Sequence, residues 1–154
     1  MKKQIAPRRT PPRAKTALCP LCRSVGDNIL WRDKYCRIVA VKDPDYAGYC
    51  RVIWNTHVKE MTDLPVAQRA HCMRVVFAVE KAVRAVFNPD KVNLASFGNM
   101  APHLHWHIIP RFVGDAHFPS PVWGKRRRST APNISSHASV KWRSLLKMHL
   151  VQIL

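Results

Sequence analysis

Acidic residues are scarce in this chain of 154 residues: 9 Asp and Glu stand against 26 Lys and Arg, a formal net charge of +17. None of the acids falls in residues 1–17 or 125–154, so +13 of that charge sits in two tails. Residues 18–124 hold 13 Lys and Arg with all 9 acids, a net of +4. The strong basicity is therefore a property of tails, expected to be disordered at the N-terminus and to touch nucleic acid or other polyanions without specificity. The body between them is mildly basic, as a phosphate-handling site requires. No run of 18 apolar residues occurs, which excludes a helix spanning a bilayer. Residues 1–17 carry Lys2, Lys3, Arg8 and Arg9 without an apolar stretch of seven, unlike a secretory signal. Five cysteines, an odd number, argue against a disulfide framework and for a reducing, cytoplasmic setting. Cys36, Cys50 and Cys72 lie among apolar neighbours and are expected in a core.

The remainder reads as one globular domain, with 47% hydrophobic residues and enough length for a fair core. Ile29 to Asp33 and Cys36 to Val41 read as strands joined by a polar turn at Asp33-Lys34; Tyr49 to Trp54 is a third, ending at Asn55-Thr56-His57. Short connections between them predict an antiparallel meander. A long helix follows, with Thr62 or Asp63 as its cap and Pro65 in its first turn. Its apolar face carries Val66, Met73, Val76, Phe77, Val83 and Phe87, and Asn88-Pro89 stops it. Val92 to Phe97 is a fourth strand and Gly98 to Pro102 a turn. The sum is an α+β domain over residues 18–124, an antiparallel sheet of about five strands with a helix packed on one face.

The fifth strand is the stretch around which the rest is organised: His103-Leu104-His105-Trp106-His107-Ile108-Ile109-Pro110-Arg111. Histidines alternate with apolar residues, so the period is two and one face is buried. At about 3.3 Å per residue, three imidazoles line one face at roughly 6.6 Å intervals while Leu104, Trp106 and Ile108 point the other way. A metal site made of these three alone fits poorly, because strand neighbours spread their imidazoles along a line and catalytic zinc usually draws on more than one element. Phosphoryl or nucleotidyl transfer fits well, with a neutral imidazole as nucleophile and its neighbours as proton donor and orienting groups.

The pattern of His103 to Ile109 resembles the signature of the histidine triad (HIT) family of nucleotide hydrolases and transferases, and the resemblance extends over about residues 18–124. It implies an α+β fold whose protomers often join their sheets into a homodimer. It also implies a covalent nucleotidyl-histidine intermediate, with dinucleoside polyphosphates or related nucleoside 5′-phosphate conjugates as substrates and no cofactor needed for the chemistry. Mapped by motif, His105 is the nucleophile, His107 assists the leaving group, His103 orients, and His57 is the upstream histidine of the network. Asn93 matches a ribose-contacting position and Gly98-Asn99 the loop beside the phosphates. Met100 stands where several branches carry a serine, a departure that bears on leaving-group preference and on phosphoramidate substrates. Arg111 reads either as a phosphate-binding fork or as a solvated strand-end cation. Phe118 to Trp123 resembles a segment of bacterial members, in which Trp123 either closes over the site or packs.

Cys19-Pro20-Leu21-Cys22 is half a zinc site. Some relatives join such a pair to the upstream histidine and the first triad histidine, here Cys19, Cys22, His57 and His103, around a structural zinc; two free thiols are the alternative. Within residues 125–154, Val140 to Leu154 mixes basic and apolar residues and reads either as an amphipathic helix, docking on a partner subunit or an anionic surface, or as disorder. The rival to the enzyme is a nucleotide- or nucleic-acid-binding adaptor with vestigial activity, and a variant between them removes AMP from nucleic-acid ends.

Overall fold

The computed structural model of the chain describes residues 18–23, 28–129 and 136–151. The expectation for residues 1–17 lies outside them. Among the described residues five strands, β1 (Ile29–Arg32), β2 (Cys36–Ala40), β3 (Cys50–Trp54), β4 (Lys91–Ala95) and β5 (His105–Arg111), form one antiparallel sheet, and three helices accompany it: α1 (Pro20–Arg23), α2 (Val66–Phe87) and α3 (Ser136–Val151). The strand order is β1-β2-β3-β5-β4. The meander holds for the first three strands, but β5 inserts between β3 and β4, leaving β4 on the edge.

Local chemistry explains the turns. Asp33 Oδ1 accepts the backbone N–H groups of Tyr35 at 2.7 Å and Cys36 at 2.6 Å, closing the β1–β2 connection as an Asx turn. Gly48, with φ of 82°, enters β3 in a conformation that favours glycine; a Cβ there would stand 2.4 Å from the Phe87 ring. The register Arg37↔Ile53, Ile38↔Val52, Arg51↔His107 and Val52↔Trp106 sorts the side chains by face. Cys36, Ile38, Cys50, Val52, Trp54 and Ile108 join the main core under α2, whereas Arg51, Ile53, His105 and His107 belong to the opposite face. Cys36, Cys50 and Cys72 are buried as expected.

The long helix is present, with two differences from its expected form. Thr62 and Asp63 form a separate 3-10 turn, Met61–Asp63, where Asp63 Oδ2 accepts the Glu60 N–H at 3.2 Å, and α2 starts after Pro65. Its buried stripe is Cys72, Val75, Val76, Val79, Ala82 and Val83 at helical spacing, whereas Val66 and Phe77 are exposed. Asn88, in the left-handed region, caps its end through an N–H to the Arg84 carbonyl. On its far side lies α3, whose Trp142, Leu146 and Leu150 recur every fourth residue and join the same core, with Trp142 5.6 Å from Phe87 between ring centroids. Burying such a leucine contributes about 1.5–3 kcal/mol, so α3 docks on its own chain rather than presenting this face elsewhere. Among the described residues no helix is long and apolar enough to cross a membrane.

Candidate functional site

His105 and His107 share the sheet face away from α2, with ring centroids 4.8 Å apart. Each ring is tied by its Nδ1 to a different partner. His105 Nδ1 lies 2.6 Å from the His103 carbonyl oxygen, which only accepts, so Nδ1 carries the proton and Nε2 keeps its lone pair. His107 Nδ1 lies 2.5 Å from the Tyr49 hydroxyl. Burial raises the Tyr49 pKa, so the phenol keeps its proton and pairs with Nδ1 as a neutral hydroxyl. Two adjacent imidazoles thus face one cavity of about 420 Å³, His105 with its Nε2 lone pair free, and the wall includes Arg51, Phe97, Gly98, Asn99, Met100 and Trp123. Ser96 Oγ donates to the His105 carbonyl at 2.9 Å and Trp123 stacks edgewise 5.2 Å from His107, fixing the strand and its rim.

Burial holds both rings neutral, lowering the pKa of His105 and, with the neighbouring His105 ring and the Arg51 charge opposing a second proton, pushing that of His107 down to about 3. A depressed folded value means that the unfolded chain binds a proton which the fold refuses. His107 therefore stabilises fully above about pH 6.5, and the contribution is lost between there and pH 3 by about 1.4 kcal/mol per unit. Melting temperature should fall with acid across this window, and a His107→Gln variant should show a flatter profile. An identical acid slope in that variant would exclude His107 as the source.

His103 precedes β5 rather than lying on it, and its ring turns to another group of residues. Its Nε2 donates to the Trp54 carbonyl at 2.6 Å, so Nδ1 is the free acceptor, 3.5 Å from Cys19 Sγ and 3.3 Å from Cys22 Sγ. His57 Nδ1 stands 3.4 Å from Cys22 Sγ, and the His57 ring meets His103 edge-on at 5.1 Å. These four donors all lie within 4.8 Å of one another. Tetrahedral zinc with Zn–S near 2.3 Å and Zn–N near 2.0–2.1 Å sets neighbouring donors roughly 3.5 Å apart, so the spacing fits. The chemistry fits as well: two thiolates and two neutral imidazoles balance a dication, and the ligating His103 donates its other N–H to a carbonyl. Without metal, burial and the adjacent Cys19 push the Cys22 thiol up to about 11, so binding displaces a proton. A second cluster, Asp33, Cys36 and His71, fits poorly. Asp33 already accepts two backbone N–H groups and pairs with His71 Nε2 at 2.6 Å, and burial pushes the Cys36 thiol far up.

The other expected contacts separate. Gly98 and Asn99 line the histidine cavity, but Asn93 and Arg111 line a neighbouring one of about 580 Å³, with Phe97 and Trp123 between the two. The fork expected of Arg111 is engaged internally. Its Nε and Nη2 hold Asp115 at 2.6 and 3.1 Å, Nη1 holds Asn93 at 2.6 Å, and Nη2 also reaches the Ser120 carbonyl at 2.8 Å. Nor is it a solvated cation, being 2% exposed. Against burial, which raises it, the bonds from Arg111 and the N–H groups of His117, Phe118 and Phe112 hold the Asp115 carboxyl down to about 2. Tyr49 and Arg51 escaped the sequence reading. The available signal was an arginine inside the apolar strand Tyr49 to Trp54.

A five-stranded antiparallel sheet backed by a long helix, with paired imidazoles from one strand facing a cavity, defines a histidine-triad protein. A model of the HIT domain matches residues 23–114, and the chain belongs to that family. The CxxC pair lies just before the matched residues. A histidine triad protein from Bradyrhizobium japonicum is 29% identical, with a TM-score of 0.65 over 79% of this chain and 88% of that one. An AP-4-A phosphorylase from Mycobacterium tuberculosis is 28% identical over 54% of this chain and 46% of its own length. A bis(5′-adenosyl)-triphosphatase from Saccharomyces cerevisiae is 25% identical over 59% and 49%. The chain spans about half the length of these two curated relatives.

Proposed function

We propose that this chain is a nucleotidyl hydrolase or transferase acting at a P–O–P or P–N linkage beside a nucleoside 5′-phosphate, with dinucleoside polyphosphates as its leading substrates. The observation that carries the reading is the bond from His105 Nδ1 to the His103 carbonyl, which leaves the His105 Nε2 lone pair at a cavity shared with His107. In this mechanism the His105 Nε2 lone pair attacks the α-phosphorus. An N–P bond forms as the bond to the leaving group breaks, and the Nδ1–H held by the His103 carbonyl stabilises the charge that appears on the ring. His107 Nε2–H donates to the phosphate or departing oxygen as an uncharged imidazole. Water then attacks phosphorus, a P–O bond forming as the N–P bond breaks; the water proton passes to solvent, the pair of electrons returns to His105 Nε2, and the nucleoside monophosphate is released. Gly98 and Asn99 line the same cavity, where they would meet the phosphates. The names of the two curated relatives, an AP-4-A phosphorylase and a bis(5′-adenosyl)-triphosphatase, support the substrate class.

Rapid mixing with diadenosine tetraphosphate followed by intact-mass and peptide analysis tests this. A transient adenylate adduct on the peptide carrying His105 is expected, with AMP among the products. No turnover, or an adduct on another residue, would overturn the reading.

Cys19, Cys22, His57 and His103 would hold one zinc ion, with four protein ligands and no open position, which gives it a structural role. Bound there, it would supply a cross-link between the segment before β1 and the residue whose carbonyl holds His105. Freshly purified protein should contain about one equivalent of zinc, and chelation should lower its melting temperature and its turnover together. Far less than one equivalent in protein never exposed to chelator would sink the assignment.

A further inference from the structure

The geometry points to Arg51 as a further catalytic residue, whose guanidinium takes the non-bridging oxygens of the phosphate that His105 attacks; the assignment deepens the proposed nucleotidyl transfer and rests on it. Strand register sets Arg51 directly opposite His107 on the shared face, beside the Ile53↔His105 pair. It lines the same 420 Å³ cavity, where among the described residues it is the one Lys or Arg and no carboxylate takes part in the lining. Arg51 is half-buried, and its Nε is shut off from solvent without a hydrogen-bond partner. Among the described residues no ion pair includes it.

Comparison with the other arginines of the interior sharpens the point. Arg111 is satisfied by Asp115, Asn93 and the Ser120 carbonyl; Arg37, whose Nε also lacks a partner, donates its terminal nitrogens to the Leu21 carbonyl and to Asn55. A cation drawn into a protein without its counter-charge is costly, so such groups are normally paired. Among the described residues no carboxylate pairs with Arg51, and the group stands on a cavity wall beside the proposed nucleophile. A planar fork of N–H donors matches two phosphate oxygens better than an ammonium does. The Tyr49 ring lies under the guanidinium, 5.8 Å from centroid to Cζ, and the same tyrosine holds His107. One side chain therefore aligns both the cation and the proton donor. Burial lowers the pKa of His105 and His107, and the nearby Arg51 charge adds to that lowering at both rings.

Arg51→Met and Arg51→Lys test the assignment in the full-length chain, with two readouts: the single-turnover rate of adduct formation from diadenosine tetraphosphate, and the Kd for AMP by calorimetry. Loss of one preorganised donor to developing charge typically costs about 10²–10³ in rate, and a loss of that size is expected for Arg51→Met in kcat, beyond any change in KM. Arg51→Lys should fall between it and wild type, and AMP binding should weaken about tenfold or more in Arg51→Met, as expected for a lost charged contact. An adduct rate within threefold of wild type in a folded Arg51→Met overturns the role while leaving the His105 reading intact. If wild type forms no adduct, nucleotidyl transfer itself fails, and AMP affinity decides: an unchanged Kd removes Arg51 from the phosphate site as well. Should Arg51→Met not fold, Arg51→Lys carries the test, and wild-type kinetics in that variant overturn the fork.

Discussion

A His105→Asn variant is expected to bind nucleotide with near wild-type affinity while losing about 10⁴-fold or more in kcat, the scale at which removal of a covalent nucleophile acts. The amide can still donate to the His103 carbonyl, as the His105 Nδ1–H does, so the local backbone keeps its hydrogen bond. It offers no nitrogen lone pair to phosphorus, because that pair is delocalised into the carbonyl. The two-step path closes, and only direct attack by water remains, helped by whatever donors the cavity supplies. Neither a mass adduct nor a burst of leaving group should appear. Turnover within tenfold of wild type would remove His105 from the chemistry and leave a binding surface.

An Arg111→Met variant should lose about 3–5 kcal/mol of folding free energy, the range for breaking one partner of a buried ion pair. Arg111 is 2% exposed and Asp115 0%, so the orphaned carboxylate has no water to turn to. The backbone N–H groups of Phe112, His117 and Phe118 still point at it, which is why its charge persists and the cost is high. Adding Asp115→Asn should restore part of the loss, since removing both charges also removes the unpaired one. Denaturant unfolding of the single and double variants measures this. A single-variant loss below 1 kcal/mol would mean that the loop from Phe112 to Ser120 is held by something else. Activity should fall with stability, because that loop delivers Trp123 to the side of His107.

The strands and long helix were legible because apolar periodicity is a local property, and the Asx turn at Asp33 and the stop at Asn88-Pro89 are local as well. The insertion of β5 between β3 and β4 was not, since pairing depends on which edge a strand finds after the chain has crossed the sheet. The same limit governs the site. Asn93 and Arg111 are on adjacent strands whose pairing joins them to each other and away from the histidines, a fact that exists only in the register. Tyr49 and Arg51 reach the site through β3–β5 pairing, 56 positions along the chain between Arg51 and His107. By contrast, the spacing of the CxxC pair is local, and its approach to His57 and His103 was anticipated through the family resemblance.

The placement of α3 bears on how the molecule is made. The far side of α2 is covered by residues that leave the ribosome about 40 positions after β5 is complete. At roughly 5–20 residues per second, that interval lasts several seconds, during which sheet and site can assemble while Phe87 still lacks the Trp142 ring. A chain in which α3 has not yet docked leaves the apolar side of α2 around Phe87 uncovered, and its need for a chaperone should be concentrated there.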